Sequence, residues 1–404
     1  MWRLGFFFHE MAFGLLSVFI PLYMVTPAIG GSLVDIGVMV SLALFCSIPA
    51  SYFWGYICDR TRRYKRYILL SFFSSMVILF LFTLPFAQNR LVFILLYVLM
   101  AVFHVAHEAP KNVLIAEHYS REEWERSYAF YEGLTEIGWF FGLLLGLFAF
   151  ASTLSFSIIA TYALYLCSGL SLAAFILSVF LVADPLMIFE RRLVGIEKKL
   201  DYTFRGVETS SRLLDGLPIN GRLRQESFFA FGLGLVLFSL ASSLFFTPLP
   251  IFFSEPPLSL PTSLIFVVYM LNSGGAVIGY FIAGRSAASM DAKKQMRRMM
   301  LLRAFLVFLL VGVVQFAFSP TLLAGLILVM LGFAYALYYI LMISLSMELI
   351  PQGRTGLFDV LVGLGGATGS FLGPYLAHLF GYLPQFLIAG SVFFVAFIVL
   401  KISS

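Results

Sequence analysis

The chain has 404 residues, of which 61% are hydrophobic and 12% charged, with a formal net charge of +5. Its mean hydropathy is +0.96. A water-soluble globular protein of this composition would have too little polar surface to stay in solution, so that class is excluded. The basic residues lie mostly in loops between apolar segments, so the positive charge gives no support for nucleic-acid binding.

Apolar runs of about 20 residues, the length that crosses a bilayer as a helix, recur along the whole chain. They lack the polar and apolar alternation of a transmembrane β-barrel. We therefore predict an all-α integral membrane protein of twelve transmembrane helices, with spans at 2–25, 34–57, 67–87, 90–116, 127–150, 155–183, 227–253, 262–284, 299–319, 321–350, 356–380 and 383–401.

The first span contains His9 and Glu10. These residues interrupt the apolar region that a signal peptide needs, so we expect the span to be retained. Cys46 and Cys167 fall inside spans and Cys58 directly follows one, which favours a packing role over a disulfide or a metal site.

Basic residues indicate the orientation, because cytoplasmic loops retain Lys and Arg. Of the 26 Lys and Arg residues, all but Arg90 and Lys111 are assigned to one side. We predict that this side, which carries both termini, is cytoplasmic, and that the protein is a multi-pass protein of the cell membrane.

A long connection at 184–226 separates six spans from six. It predicts an N-terminal six-helix bundle at 1–183 and a C-terminal one at 227–404. Within the connection, apolar residues recur every three or four positions between basic ones, as in an amphipathic helix on a membrane surface. We interpret it as a cytoplasmic linker, with a regulatory partner site as the alternative.

The two halves resemble each other in residue order, as expected of an internal repeat. The segment 98–117 aligns with 329–348 at a constant offset. Spans 5 and 11 share glycines at every fourth position, a spacing that lets helices approach closely in lipid. This second alignment places Glu132 opposite Asp359, and predicts two pseudo-symmetric bundles.

The loop after span 2 has a distinctive sequence, Gly55-Tyr-Ile-Cys-Asp59-Arg60-Thr-Arg62-Arg63-Tyr-Lys65-Arg66. It resembles the signature loop of the major facilitator superfamily, in which a glycine, three residues, an aspartate and a basic cluster join spans 2 and 3. Arg62 stands where the family has a second glycine, and Tyr64 where it has its final basic residue. With twelve spans, a central loop and parallel halves, the resemblance covers the whole chain.

The resemblance implies a secondary active transporter that moves a small solute by alternating access. It also implies that Gly55, Asp59, Arg60 and Arg63 form a latch that stabilises the outward-open state, with Glu117 as a partner. The alternative is that the basic residues only fix the topology.

Ionisable side chains at membrane depth are costly and are therefore functional candidates. They concentrate in the first half: His9 and Glu10 in span 1, His104, His107, Glu108 and Lys111 in span 4, and Glu132 and Glu136 in span 5. In the family resembled, spans 1, 4, 7 and 10 line a central cavity. Span 10 would then present Tyr335, Tyr338 and Tyr339 to the solute.

We hypothesise that Glu108, helped by Glu10 and the three histidines, binds and releases a proton during transport, as a symporter or antiporter. Burial favours a neutral carboxyl group, whereas the nearby Lys111 favours an ionised one. Lys111 would contact an anionic solute group or hold Glu108. The alternative is a structural ion-pair network, which we favour for Glu132, Glu136 and Asp359.

Other functions were weighed on the same residues. The histidines and Glu108 have the side-chain types of metal ligands, so a transition-metal transporter is one alternative. A receptor or scaffold with the same fold is another. Constellations typical of membrane enzymes are missing, so we predict no catalysis. We expect a monomer that contacts lipid, solute and protons, without a cofactor, a bound metal or nucleic acid.

Overall fold

The computed structural model describes residues 2–118, 124–152, 154–184, 228–286, 292–316, 320–349 and 356–402. Within these ranges the regular structure is entirely helical, and twelve helices are long and apolar enough to cross a membrane. The predicted all-α fold with twelve spans is therefore confirmed.

The spans are numbered in chain order, and we call spans 1 to 6 the first half and spans 7 to 12 the second half. Their bounds are Leu4–Met24, Leu33–Thr61, Tyr64–Leu81, Arg90–His118 with a short 3₁₀ turn at Val105–His107, Trp124–Phe150, Phe156–Leu181, Phe228–Ser254 with a break after Phe246, Thr262–Ser286, Ala292–Phe316, Pro320–Leu349, Gly356–Phe380 and Tyr382–Ile402. The amphipathic helix predicted at 184–226 falls, apart from residue 184, outside the described residues.

Local sequence fixes the start of span 2. Ser32 caps the helix by accepting a hydrogen bond from the backbone N–H of Asp35, whose carboxylate accepts one from the backbone N–H of Ser32 at 2.8 Å. This reciprocal arrangement satisfies donors that a helix N-terminus leaves free. Asp35 also forms an ion pair at 3.2 Å with Arg90. The ends of spans 2 and 4 are thereby joined on the side away from the chain termini.

Glycines bring the spans of each half into close contact. A methyl group on Gly142 of span 5 would overlap the backbone carbonyl of Met11 in span 1. A methyl group on Gly369 of span 11 would overlap the carbonyl of Leu240 in span 7 in the same way. The aligned glycines therefore serve corresponding helix crossings in the two halves.

The halves meet along two pairs of helices, span 2 with span 11 and span 5 with span 8. On the side away from the termini they are packed together, with the rings of Phe150 and Phe266 stacked 5.4 Å apart across the interface. Nearer the terminus-bearing side, the side chain of Glu108 stays 38% exposed and Tyr335 37% exposed. These residues remain accessible within an otherwise buried part of the protein.

The largest departure from the predicted boundaries is in span 9. It begins at Ala292, seven residues before the predicted start at 299. Arg303, which the charge count had assigned to the cytoplasmic side, instead lies near the middle of the helix. That assignment was wrong because apolar residues on both sides of Arg303 allow the helix to cross the membrane around it.

Candidate functional site

Span 4 is interrupted where its ionisable residues begin. A short 3₁₀ turn at Val105–His107 separates the helical segments Arg90–His104 and Glu108–His118. Pro110 explains the turn, because proline has no N–H for the bond to Ala106 and its ring crowds that carbonyl. The break lies beside His104 and His107, so it affects the directions in which these two side chains leave the helix.

Three histidines meet at this turn. His9 Nε2 of span 1 lies 3.1 Å from His104 Nδ1, and the ring of His104 lies 4.8 Å from that of His107. Ser71 of span 3 is 3.0 Å from His107 Nδ1. His9 and His107 are almost fully buried, and the three histidines each offer a ring nitrogen within 4.8 Å of the other two. The predicted grouping of these residues is therefore present.

Lys111 lies between two carboxylates. It pairs with Glu108 one helical turn away, and its Nζ is 3.6 Å from Glu132 of span 5. Glu108 in turn lies 3.3 Å from His107 Nε2. Because the Lys111 side chain is only 8% exposed, these ion pairs are weakly screened by solvent. Such an ammonium can exchange carboxylate partners when one of them takes up a proton.

Glu132, for which a structural ion-pair network was favoured, is joined to these residues through Lys111. Glu10 of span 1 lies close enough to interact electrostatically with Glu108, Glu132 and Lys111. Glu10, Glu108 and Glu132 thus converge on a single ammonium group. The side chain of Asp359, the predicted counterpart of Glu132 in span 11, falls outside the described residues.

Glu136 connects the two halves. Ser273 of span 8 donates a hydrogen bond of 2.6 Å to its carboxylate. Ser273 is buried, with 2% of its surface exposed. Sequence reasoning missed this contact, because a serine within a glycine-containing helix gives no sign of a partner in another half.

The tyrosines of span 10 do not form one wall. Tyr335 and Tyr339 stack at 5.8 Å, and Tyr335 is near enough to Glu132 and Glu136 to interact with them electrostatically. Tyr338 instead stacks on Phe238 of span 7 at 3.5 Å and is almost fully buried. Tyr335 and Tyr339 therefore stack on each other on one face of span 10, and Tyr338 lies on another.

Arg62 ends span 2 in a left-handed conformation with φ of 53°. Its backbone N–H donates a 2.8 Å hydrogen bond to Cys58 O. Glycine adopts this conformation without steric cost, which accounts for the glycine found here in the family resembled. Arg63 follows as the residue before span 3.

The predicted latch is described only in part. Gly55 packs near Ala109 of span 4, and Arg60 is 3.4 Å from the hydroxyl of Tyr56. The side chains of Asp59 and Glu117 fall outside the described residues. The contact between them stays a prediction.

Arg303 was missed by the sequence analysis as a site residue. It is fully buried in span 9. Four aromatic rings surround its guanidinium, those of Phe238, Phe246, Tyr335 and Phe393. Its position four residues inside the predicted span 299–319 was the signal in the sequence that could have identified it.

A twelve-span helical bundle with buried charged side chains defines a polytopic membrane protein. Residues 4–358 match the model of the Major Facilitator Superfamily, so the chain belongs to that family. A comparison with curated proteins gives no match.

Solved structures share this fold. A mutant form of the nucleoside transporter NupG matches with a TM-score of 0.70 and 11% identity, covering 100% of this chain and 98% of its own. A D-xylose-proton symporter matches with a TM-score of 0.69 and 14% identity, covering 98% and 96%. The proton:xylose symporter XylE bound to 6-bromo-6-deoxy-D-glucose matches at 0.68 and 16%, covering 98% and 94%. At these identities the similarity establishes the fold.

Proposed function

We propose that the protein is a secondary active transporter that couples movement of a small solute to protons by alternating access. The observation that carries this proposal is the position of Lys111 between Glu108 and Glu132. Two bundles, at 1–183 and 227–404, move against each other as rigid bodies during transport. The linker at 184–226 joins them. The protein acts as a monomer in the cell membrane, with both termini in the cytoplasm.

Charge balance explains why a proton belongs at this site. Glu10, Glu108 and Glu132 are held near one buried ammonium group, that of Lys111. Uncompensated charge at membrane depth costs several kcal/mol, so the excess carboxyl groups favour proton uptake. Other groups that interact electrostatically with Glu108 include His107 and His104 on its own span and His9 on span 1. One proton taken up by Glu108 frees Lys111 to pair with Glu132 alone.

This exchange of partners links protonation to movement. Glu108 and Lys111 are in span 4, whereas Glu132 is in span 5, which also contacts the second half through Glu136 and Ser273. A tighter Lys111–Glu132 pair would pull spans 4 and 5 together at the interface between the halves. Proton binding thereby favours one of two packed arrangements, as alternating access requires.

Proteoliposomes loaded with the pH-sensitive dye pyranine test the coupling. Structures with this fold include a D-xylose-proton symporter and a nucleoside transporter, so pentoses and nucleosides belong in the solute panel, with amino acids and organic acids. We expect at least one solute to change the lumenal pH saturably, compared with liposomes without protein. Saturable flux without a pH change would contradict coupling, and no flux for any solute would favour the receptor or scaffold alternative.

A second candidate function is supported by the histidines. His9, His104 and His107 can direct a ring nitrogen each into one site within a 4.8 Å spread. Neutral imidazole is a good ligand for Zn²⁺, Co²⁺ and Ni²⁺, so the cargo would be a transition-metal ion. Calorimetry with Zn²⁺ and the visible absorption of bound Co²⁺ test it. Stoichiometric binding that is lost in His104→Ala supports this candidate, and no binding by the wild type removes it.

A further inference from the structure

Arg303 is a charged group in the middle of the second half. It lies 11 residues after Ala292, the start of span 9, which is roughly 16 Å along the helix at 1.5 Å per residue. None of its surface is exposed. Basic residues occupy the first two turns of this helix, so Arg303 lies about 6 Å inside its apolar part.

The faces of the guanidinium are covered by aromatic rings. Its central carbon is 5.0 Å from the ring centre of Phe238 and 5.6 Å from that of Phe246, both in span 7. Tyr335 of span 10 lies at 5.2 Å and Phe393 of span 12 at 4.9 Å. These contacts are favourable for a desolvated cation. They leave the N–H groups at the edge of the guanidinium unsatisfied.

Two N–H groups on one edge of the Arg303 guanidinium have no acceptor among the described residues. Nη1 donates to the hydroxyl of Ser242 at 3.3 Å. Among the described residues, Nε and Nη2 are buried without a hydrogen-bond partner, and so is the hydroxyl of Tyr338. The N–H groups of Nε and Nη2 point in parallel, which is the geometry that holds a carboxylate or a phosphate with two hydrogen bonds.

A purely structural role would explain this arrangement poorly. Within the part of the chain described by the structure, no carboxylate forms an ion pair with Arg303. An unpaired charge in an apolar environment is expensive, and an apolar side chain of similar size would stabilise the same packing better. The edge of Arg303 is therefore suited to an anion that arrives from outside the protein.

We propose that Nε and Nη2 of Arg303, with the hydroxyl of Tyr338, bind an oxyanion group of the transported solute. The solute is then an organic acid or a phosphate compound, an inference that rests on the proposed transport function. Tyr335 covers the guanidinium and is 37% exposed, and it faces the carboxyl groups of span 5. Rotation of its ring would admit the anion from the space between the halves.

Thermal unfolding of the purified full-length protein in detergent tests the site without a gradient or flux. The probes are sodium acetate, benzoate, succinate and inorganic phosphate, each against sodium chloride at equal ionic strength. We expect at least one oxyanion to raise the unfolding midpoint of the wild type. Testing the carboxylates and phosphate separately shows which class of oxyanion binds.

Variants assign the effect to the Arg303 edge. Arg303→Lys keeps the charge but loses the parallel donors, and should raise the apparent dissociation constant about tenfold or more. Arg303→Met should abolish the shift and, because it removes an unpaired charge, should be at least as stable without ligand. Tyr338→Phe should weaken the shift. Arg90→Met, a change at an exposed arginine paired with Asp35, should retain it.

The proposal is overturned if no oxyanion stabilises the wild type, or if Arg303→Lys retains the full shift. If Arg303→Met is less stable than the wild type while Arg303→Lys binds oxyanions normally, the residue is structural. The oxyanion shift is measured at one pH without a gradient, so its presence or absence is read independently of proton movement through Glu108. Failure of proton coupling and failure of the anion site are thus separate results.

Discussion

Ser273 of span 8 donates a 2.6 Å hydrogen bond to Glu136 of span 5, and so joins the two halves of the protein. The bond lies inside the protein, where a lost partner is not replaced readily by water. If the halves move apart at this point during transport, the bond must break. It therefore contributes to the energy difference between the two conformations.

Removing the hydroxyl of Ser273 should destabilise the conformation described above. Ser273→Ala leaves the Glu136 carboxylate without this donor, at a cost of about 1–3 kcal/mol. Glu136→Gln should cost less, since an amide oxygen still accepts the bond. Thermal unfolding measures the order of these effects, and Ser391→Ala, at an exposed hydroxyl bonded within its own helix, is the control. Equal midpoints for wild type and Ser273→Ala would contradict the role of the bond.

Replacing Lys111 should leave uncompensated negative charge in the first half. Lys111→Met leaves Glu108 and Glu132 without their common partner, with an expected loss of about 3 kcal/mol. The loss should grow as the pH rises, because ionised carboxylates then lack their partner. It should shrink on acidification, because protonation removes the unpaired charges.

Denaturation of Lys111→Met at several pH values checks this prediction, with Lys401→Met at the exposed end of span 12 as the control. Adding Glu132→Gln to Lys111→Met removes one of the unpaired carboxylates and should recover part of the stability. Glu10 also lies close to this site, so the double variant separates the contribution of Glu132. A pH-independent loss would show that Lys111 acts through packing alone.

The turn between spans 2 and 3 should become more stable with glycine. Arg62 has φ of 53°, a conformation that costs a non-glycine residue about 1 kcal/mol. Arg62→Gly should therefore be more stable than Arg62→Ala, which removes the same charge but keeps the strain. Thermal unfolding of the two variants gives the comparison. An alanine variant equal to the glycine variant would mean that the turn is not strained.

The fold was largely predictable because membrane crossing is a local property of sequence. A run of apolar residues is sufficient to place a span, and the loop from Gly55 to Arg66 was enough to suggest the family. Lys111 and Glu108 could also be paired in advance, since three residues on a helix place side chains on one face. Each of these inferences needed only one segment of the chain.

The remaining features depend on contacts between segments. Ser273 acquires its role only when span 8 meets Glu136, and Tyr338 turns towards Phe238 rather than towards its neighbours in sequence. Arg303 lies inside the predicted span 299–319, yet it was counted with the basic residues that precede this span. Pro110 was missed although it gives a local signal, since proline inside a helix disturbs the preceding turn.

The most direct test of the proposed transport function compares Glu108→Gln with the wild type in pyranine-loaded proteoliposomes. Solute-driven proton movement and solute exchange at equal concentrations are measured in the same preparation. Glu255→Gln, at a loop carboxylate bonded to Tyr382, is the matched control. We predict that Glu108→Gln loses proton movement but retains exchange, whereas Glu255→Gln retains both. Unchanged proton movement in Glu108→Gln would contradict the proposal that this carboxyl group carries the proton.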